Sequence, residues 1–470
     1  MKIKELKDFV ENNWRESIIE ELEGYIRIPC LSPMFDRSWE NNNLLLKACE
    51  HVVRWIDKQE IKNSSVEIIK ENGKTPVIMI EVDGDRDGTI LFYGHLDKQP
   101  EAKGWDDDKG PYKPVIQDGK LFGRGSADDG YAVYTAISSI KALQEQNVKH
   151  GRCVVLIETC EESGSLDLPY YLENLEKRIG SPDLVVCLDS GCGNFEQFWV
   201  TTSLRGAMAC KLKVEILKEG IHSGNSGVIP SSFRIMRQLL SRVENEETGE
   251  ILLDELNTEI PVERVNQALT AEKVLGYSLI SSYPLYGDLK TISSKISELI
   301  LQRTWKPSLS YIAADGIPPS NEAANLLRPS TSFVLSFRAP PTADLNMATE
   351  KLKEIFESSP PYDSEVSFRV IKKGSGWHMP DMPAWLSEAV ERSSRNHFGK
   401  EPVFMGEGGS IPLMNLLSEK FPKSKFIVTG VLGPGSNAHG PNEFLHLGMV
   451  EKVTCVIAEI IEAHGKKNNR

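Results

Sequence analysis

The 470-residue sequence has no long apolar run and no excess of basic residues. Its longest hydrophobic runs, such as residues 184–188, have the length of a strand and fall far short of the ~20 residues that a membrane-spanning helix needs. The N-terminal stretch MKIKELKDFVENNW is a charged amphipathic pattern without the apolar core of a signal peptide. We therefore expect neither a membrane span nor a secretion signal.

Positive charge is also scarce. The 54 Lys and Arg residues face 67 Asp and Glu residues, so the formal net charge is -13. This balance argues against a nucleic-acid partner, because phosphate binding relies on a basic face. The 8 cysteines form no CxxC pair, and several, such as Cys153 and Cys187, stand in apolar contexts. They predict reduced core residues in a cytoplasmic protein.

What the sequence does contain is an alternation of buried strand-like runs and helical stretches, before residue 204 and again after residue 374. Because these runs are apolar on both faces, they predict a sheet covered by helices, that is, an α/β domain with a mixed sheet. The predicted strands are residues 77–82, 89–93, 154–158, 184–188 and 426–432, and the predicted helices include 131–144 and 386–398.

The pattern changes between residues 204 and 374. Three segments alternate apolar and polar side chains, as expected for half-exposed antiparallel strands: 207–216, 332–338 and 366–372. Helical patterns over 231–243 and 347–358 accompany them. We therefore predict one domain from residues 1–203 and 375–470, interrupted by a small α+β domain at 204–374. The polar tail, 464–470, is expected to fray.

Acidic residues and histidines follow the buried strands. Each motif alone has an ordinary explanation: a core histidine, a capped turn or an exposed acidic pair. In open α/β sheets, however, ligands bind at the carboxyl ends of strands, so five such motifs indicate one site. The motifs are His95-Leu96-Asp97, GRGSADDG with Asp128 and Asp129, Glu161-Glu162-Ser163-Gly164-Ser165, Asp189-Ser190-Gly191, and NAHGPNE with His439.

Two histidines and at least four carboxylates on one rim are tolerable only around strongly bound cations. Nitrogen and oxygen donors without a thiolate suit Zn²⁺, Mn²⁺ or Co²⁺. Five donors cannot fill two separate tetrahedral sites unless one carboxylate bridges, which favours a dinuclear site with metals roughly 3.5–4 Å apart and a shared water. A surplus glutamate would be the general base. Asp97 can accept the second ring N–H of a metal-bound His95.

In their order and context, HxD, GRGSADD, EESGS, DSG and AHGPNE resemble the dinuclear-zinc exopeptidases. That family includes carnosine and cytosolic non-specific dipeptidases, glutamate carboxypeptidase, acetylornithine deacetylase, succinyl-diaminopimelate desuccinylase and aminoacylase. The resemblance spans nearly the whole chain. The long insertion and the segments EESGS and EGGSIP are most similar to the dipeptidase branch.

The resemblance implies a catalytic α/β domain with an inserted lid that forms a homodimer, and two zinc ions per chain. It implies hydrolysis of dipeptides or short peptides with a free C-terminal carboxylate, by a water that bridges the two metals. Position by position, His95 and Asp189 would bind one metal. Glu162 and His439 would bind the other. Asp128 would bridge them, with a cis peptide bond to Asp129.

The remaining roles implied by the resemblance concern proton transfer and substrate binding. Glu161 would be the general base, and Asp97 would orient His95. His222, in IHSGNSG, would reach into the partner's active site and stabilise the oxyanion. The residues that would hold the substrate carboxylate are Arg338 in LSFRAP and Gly409 and Ser410 in EGGSIP, and the neighbouring Glu407 could contact a substrate amine.

The sequence departs from the family pattern at three places. Gly130 replaces the usual lysine after the paired aspartates, HLDKQP carries Lys98 in place of valine, and the lid motif reads HSGNSGVIP. We expect Lys98 and the residues after His222 to lie near the cleft and to affect substrate preference. Two other functions stay open: a deacylase of N-acyl amino acids on the same scaffold, and a non-catalytic binding homologue.

Overall fold

The computed structural model describes residues 1–467. Its helices are α1 (Ile3–Asn13), α2 (Ile19–Ile26), α3 (Trp39–Asn42), α4 (Leu44–Lys58), α5 (Tyr131–Glu145), α6 (Leu168–Asn174), α7 (Glu176–Ile179), α8 (Ser232–Leu240), α9 (Val262–Leu275), α10 (Ser278–Ser281), α11 (Ile296–Thr304), α12 (Leu345–Glu357), α13 (Ala384–Phe398), α14 (Pro412–Lys420) and α15 (Leu447–Lys466).

The strands are β1 (Ser64–Ile69), β2 (Val77–Val82), β3 (Arg86–His95), β4 (Val115–Gln117), β5 (Lys120–Phe122), β6 (Gly151–Glu158), β7 (Leu184–Cys187), β8 (Trp199–Leu204), β9 (Gly206–Glu215), β10 (Ile221–His222), β11 (Ser308–Asp315), β12 (Leu326–Leu327), β13 (Ser330–Ala339), β14 (Glu365–Gly374), β15 (Trp377–His378), β16 (Val403–Glu407), β17 (Lys425–Val428) and β18 (Phe444–His446).

The largest sheet has six strands in the order β1-β2-β6-β3-β7-β17. Strands β6, β3, β7 and β17 are parallel, whereas β1 and β2 pair antiparallel at one edge. The predicted mixed sheet is therefore confirmed. Because the four parallel strands run in the same direction, the loops that follow them meet at one edge of the sheet.

Helices cover this sheet as the two-sided apolar pattern predicted. Helix α15 packs on α5 and on α13, and both α5 and α15 contact strands β3 and β6. Their buried side chains join those of the strands in one large hydrophobic cluster. Complete burial of residues such as Ile80, Val155 and Ile457 contributes about 1.5–3 kcal/mol each.

A second hydrophobic cluster belongs to a separate antiparallel sheet, in the order β11-β13-β9-β14. Along β9, buried residues alternate with more exposed ones, so that Cys210 and Leu212 face the cluster and Lys211 does not. Helices α8 and α12 supply the other half of the cluster. This is the inserted α+β lid that the alternating pattern predicted.

Three helices inside the inserted segment, α9, α10 and α11, pack on the first hydrophobic cluster and not on that of the lid. Residues of α9 and α11, including Ala268, Leu275 and Ile300, belong to the first hydrophobic cluster and not to that of the lid. Both helices contact strand β16, which pairs with β8. The sequence analysis did not predict these helices. The boundaries 1–203, 204–374 and 375–470 stay a prediction, and part of the segment 204–374 packs on the first domain.

All eight cysteines are buried and unpaired, as their apolar contexts predicted. Within residues 1–467, no helix is long and apolar enough to cross a membrane. Helix α15 continues to Lys466, further than the expected fraying of the tail would allow. Residues 468–470 of that tail lie outside the described residues.

Candidate active site

The predicted metal-binding residues meet at the carboxyl edge of the six-stranded sheet. His95 is the last residue of β3, Glu162 lies in a short helical turn after β6, and Asp189 follows β7. Asp128 lies in the loop before α5, and His439 lies in the loop between β17 and β18. The sheet topology thus brings together residues that are up to 344 positions apart in sequence (439 minus 95).

The five side chains form two groups that share one carboxylate. In the first, His95 Nε2 lies 3.2 Å from Asp128 Oδ1 and 3.8 Å from Asp189 Oδ2. In the second, His439 Nε2 lies 3.0 Å from Asp128 Oδ2 and 3.3 Å from Glu162 Oε2. The candidate ligand atoms of each group lie within 4.8 Å of one another. Each oxygen of Asp128 therefore serves a different group.

Asp97 connects the loops after β3 and β6. Its two carboxylate oxygens accept hydrogen bonds from the backbone N–H of Glu161 (3.1 Å) and of Glu162 (3.0 Å). Nδ1 of His95 lies 3.1 Å from the backbone oxygen of Asp97 and 3.6 Å from Oδ1. Asp97 is completely buried. The carboxylate of Asp97 thus fixes the backbone of the predicted base Glu161 and of the predicted ligand Glu162, and it lies beside the ring of His95.

The electrostatics fit a site built for cations. Burial raises the pKa of Glu162 to about 10, and the charge of Asp128 adds to the shift. Burial also raises the pKa of Asp189 to about 6 and that of Glu161 well above its usual value. Burial alone would raise the pKa of Asp128, but hydrogen bonds from His439 and His95 outweigh this effect and hold the pKa below its usual value.

Sequence reasoning missed the support behind Asp128. Glu443 is completely buried, and its Oε1 accepts backbone N–H groups from Gly125, Ala127 and Asp128 at 3.0–3.2 Å. Its Oε2 accepts a 2.7 Å hydrogen bond from Arg124, which is also buried. The signal was present in the sequence, because Arg124 and Glu443 lie within two of the conspicuous motifs.

The neighbouring Asp129 also has a structural role. Its Oδ2 accepts a hydrogen bond of 3.3 Å from the backbone N–H of His95, and its side chain is completely buried. The peptide bond between Asp128 and Asp129 is cis, as the resemblance implied. The side chain of Asp128 therefore faces the ligand groups, whereas that of Asp129 faces the end of β3.

A cleft of about 850 Å³ opens from these carboxylates. Four predicted metal-site residues and the predicted base line it: Asp128, Glu161, Glu162, Asp189 and His439. The predicted substrate residues Glu407, Gly409 and Ser410 line it as well. Arg338 reaches this loop from the lid, where its Nη1 lies 3.2 Å from Ser410 Oγ.

His222 lies elsewhere. It is exposed on the short lid strand β10, where it pairs with Leu326 of β12, and it does not line the cleft of its own chain. Its Nδ1 accepts a hydrogen bond of 3.0 Å from the backbone N–H of Gly224. The role predicted for His222 would therefore require it to act outside its own cleft.

The expectation that Lys98 lies near the cleft is wrong. Its side chain is completely buried, and Nζ donates to the backbone oxygens of Tyr25, Ile26 and Ile28 at 2.8–3.1 Å. Burial lowers the pKa of Lys98 to about 8. The amine thus donates to carbonyls at and just after the C-terminal end of α2, where the helix itself leaves backbone acceptors available.

The presence of glycine at position 130, a second departure from the family pattern, has a steric reason. A Cβ at this position would lie 2.3 Å from the ring of Tyr25 and 2.6 Å from the backbone oxygen of Gly125. Any larger residue would therefore displace Tyr25, whose ring lies 4.0 Å from Lys98 Nζ. Lys98 and Gly130, which both depart from the family pattern, therefore both lie next to Tyr25.

An α/β sheet with paired nitrogen and oxygen ligand groups at its carboxyl edge defines a metal-dependent hydrolase. Residues 91–463 match the family described as Peptidase family M20/M25/M40. Because the match covers most of the chain, the protein belongs to this family, and the predicted resemblance is confirmed.

Three similar proteins extend this result. The chain is 24% identical over 388 residues to a cysteinylglycine-S-conjugate dipeptidase of Corynebacterium striatum, covering 80% of this chain and 81% of the relative. It is 26% identical over 396 residues to the human Beta-Ala-His dipeptidase, covering 78% and 73%. The fold is similar to the solved structure of the dipeptidase Dug1p from Saccharomyces cerevisiae, with a TM-score of 0.75 at 21% identity over 99% of both chains.

Proposed function

We propose that this chain is a dipeptidase that hydrolyses dipeptides or short peptides with a free C-terminal carboxylate. The observation that carries the proposal is the carboxylate of Asp128, which is shared by two ligand groups in a cleft that also contains Glu161. The similar proteins from Corynebacterium striatum and human are both dipeptidases, which supports a peptide substrate over an N-acyl amino acid.

The residues fit two divalent metal ions. The donors are imidazole nitrogens and carboxylate oxygens, a set that suits Zn²⁺ and also Mn²⁺ or Co²⁺. His95 Nε2 is buried and faces the carboxylates of Asp128 and Asp189 at 3.2 and 3.8 Å, as a nitrogen that binds a metal ion together with them would. When bound, such a pair of ions lowers the pKa of a shared water and polarises the scissile carbonyl.

Glu161 moves the protons in this proposal. It lines the cleft beside both ligand groups, and its backbone N–H is fixed by Asp97. As general base it accepts a proton from the attacking water, and as general acid it returns that proton to the leaving amine. Burial raises the pKa of Glu161, which makes its conjugate acid able to hold the proton between the two steps.

In this proposal Arg338, Gly409 and Ser410 bind the terminal carboxylate of the substrate. The guanidinium of Arg338 and the hydroxyl of Ser410 are already in contact at 3.2 Å, so a carboxylate beside them would receive charge-assisted hydrogen bonds. We assign Glu407, which lines the same cleft, to the free amino group at the other end of the substrate.

His222 completes the site from a second copy of the chain. Its exposed position on the lid, outside its own cleft, supports a role in the partner of a homodimer. There its ring would donate a hydrogen bond where negative charge develops on the oxyanion. The cytoplasmic location predicted from the cysteines stays a prediction.

The test combines elemental analysis with a hydrolysis screen of metal-stripped protein and protein reloaded with Zn²⁺ or Mn²⁺. We expect about two metal ions per chain and turnover of dipeptides such as Ala-Ala, but not of N-acetyl amino acids. Turnover of N-acetyl amino acids alone would assign the chain to the deacylases. Binding of peptides without turnover at full metal occupancy would contradict an enzymatic role.

A further inference from the structure

The cleft contains one pair of opposite charges that is separate from the metal-binding groups. Arg303, in α11, and Glu407, at the end of β16, both line it. Arg303 Nη2 lies 3.6 Å from Glu407 Oε2, which is an ion-pair distance but too long for a hydrogen bond. Arg303 Nε is buried and has no hydrogen-bond partner within residues 1–467. Both groups therefore retain hydrogen-bonding capacity.

Positive charge is in excess around this pair. Arg205 and Arg338 contact the loop that contains Gly408 and Ser410 through their guanidinium groups. Arg303 lies beside the same loop with its Cγ and its backbone oxygen, and its guanidinium group lies near Glu407. Of these three arginines, only Arg303 has a carboxylate of a described residue within 4.0 Å. Arg205 is buried and donates only to neutral oxygens, of which that of Gly408 is one. Burial, followed by repulsion from Arg338 and Arg303, lowers the pKa of Arg205 to about 10.

The charges of these side chains can be compared with those of a dipeptide, the substrate of the proposed function. The three guanidinium groups and the substrate's ammonium group, which is assigned to Glu407, give four positive charges. Glu407 and the substrate's terminal carboxylate, held by Arg338, give two negative charges. Two positive charges then stay uncompensated in a partly buried site, which is costly unless the substrate provides another anion.

We infer that Arg303 selects substrates whose N-terminal residue carries an acidic side chain. This inference rests on the proposed dipeptidase function and narrows its substrate class. An N-terminal Asp or Glu presents an ammonium group and a carboxylate a few bonds apart, with charges opposite to those of Glu407 and Arg303. Its ammonium group contacts Glu407 and its side-chain carboxylate contacts Arg303, so two ion pairs replace one.

The surroundings of Arg303 agree with this assignment. The cleft, at about 850 Å³, is large for a dipeptide and leaves space for a side chain beside α10. Leu275 and Leu279 form an apolar wall in this part, and the hydroxyl groups of Ser281 and Ser282 donate to backbone oxygens of the same turn. An acidic side chain has apolar methylene groups that match this wall, and a carboxylate at its end that matches the guanidinium group of Arg303.

The experiment compares the dipeptides Glu-Ala and Gln-Ala, which have nearly the same shape but differ in charge. For the metal-loaded wild-type enzyme we expect kcat/KM to be about tenfold or more higher for Glu-Ala. Arg303→Met should lower kcat/KM for Glu-Ala about tenfold more than for Gln-Ala. Arg303→Lys, which keeps the charge, should restore part of the preference.

Lys306→Met is the matched control. This exposed lysine carries the same charge three positions away and does not line the cleft, so its loss should leave the Glu-Ala to Gln-Ala ratio unchanged. Equal rates for both dipeptides in the wild type, or an equal loss for both in Arg303→Met, would overturn the inference. In either case continued turnover of Gln-Ala would leave the proposed dipeptidase function standing. Absence of turnover for every dipeptide would overturn both.

Discussion

The loops at the edge of the six-stranded sheet and the lid loop with His222 differ in how they are held. In the first region, buried carboxylates connect successive loops: Asp97 binds the loop after β6, and Glu443 binds the loop before α5. In the second, β10 forms two residue pairs with β12, and His222 is exposed. The predicted metal ligands are therefore held by buried hydrogen bonds within the chain, whereas the predicted oxyanion residue lies exposed on a short strand.

Removal of the predicted base should have the largest effect on turnover. Glu161→Gln keeps the shape of the side chain and the backbone hydrogen bond to Asp97 but cannot accept a proton. We expect kcat to fall by about 10²–10⁴-fold, with the metal content unchanged by elemental analysis. Glu173→Gln, an exposed glutamate on α6, serves as the control. Wild-type turnover in Glu161→Gln would contradict the assignment of the base.

The lid loop should contribute to catalysis without contributing to metal binding. His222→Asn should lower kcat by about 10²–10³-fold, as expected for the loss of an oxyanion donor, while metal content stays at the wild-type level. Val228→Ala, in the same exposed loop, should have little effect. Loss of metal in His222→Asn would mean that the two regions are not separate in function.

The contribution of the buried connections can be measured at Asp97. Asp97→Asn preserves the size of the side chain but weakens its acceptance of the Glu161 and Glu162 N–H groups and removes the negative charge beside His95. We expect metal affinity, determined by competition with a chelator, to fall by about 10–100-fold. Glu101→Gln, exposed on the following loop, is the control. Unchanged affinity would show that these bonds do not organise the ligands.

The smallest expected effects compare one lysine from each region. Lys98→Met leaves the carbonyls at the end of α2 without their buried donor and should lower the free energy of unfolding by about 1–3 kcal/mol. Lys211→Met removes a lid ion pair with the exposed Asp315 and should cost less than about 1 kcal/mol. Denaturant unfolding measures both. Equal losses would contradict the contrast between the regions.

Local patterns were sufficient to predict that the five motifs lie together, because the topology of a parallel sheet brings the ends of its strands to one edge. Local patterns did not predict helices α9, α10 and α11 or their packing on the first hydrophobic cluster. The burial of Leu275 and Ile300 depends on strand β16, about 100 or more residues further along the chain. Lys98 was misplaced for the same reason, since its partners lie at the end of a distant helix.

The position of α9 to α11 has a consequence for the evolution of this chain. These helices lie inside the inserted segment, yet they pack on the first hydrophobic cluster and supply Leu275, Leu279 and Arg303 to the cleft. Mutations there can alter which side chains the cleft accepts while the loops that carry His95 and Asp128 remain untouched. Selection can therefore change the lining of the cleft and the ligand groups separately, so that descendants of this chain can differ in the substrates they accept and still keep the same ligand groups.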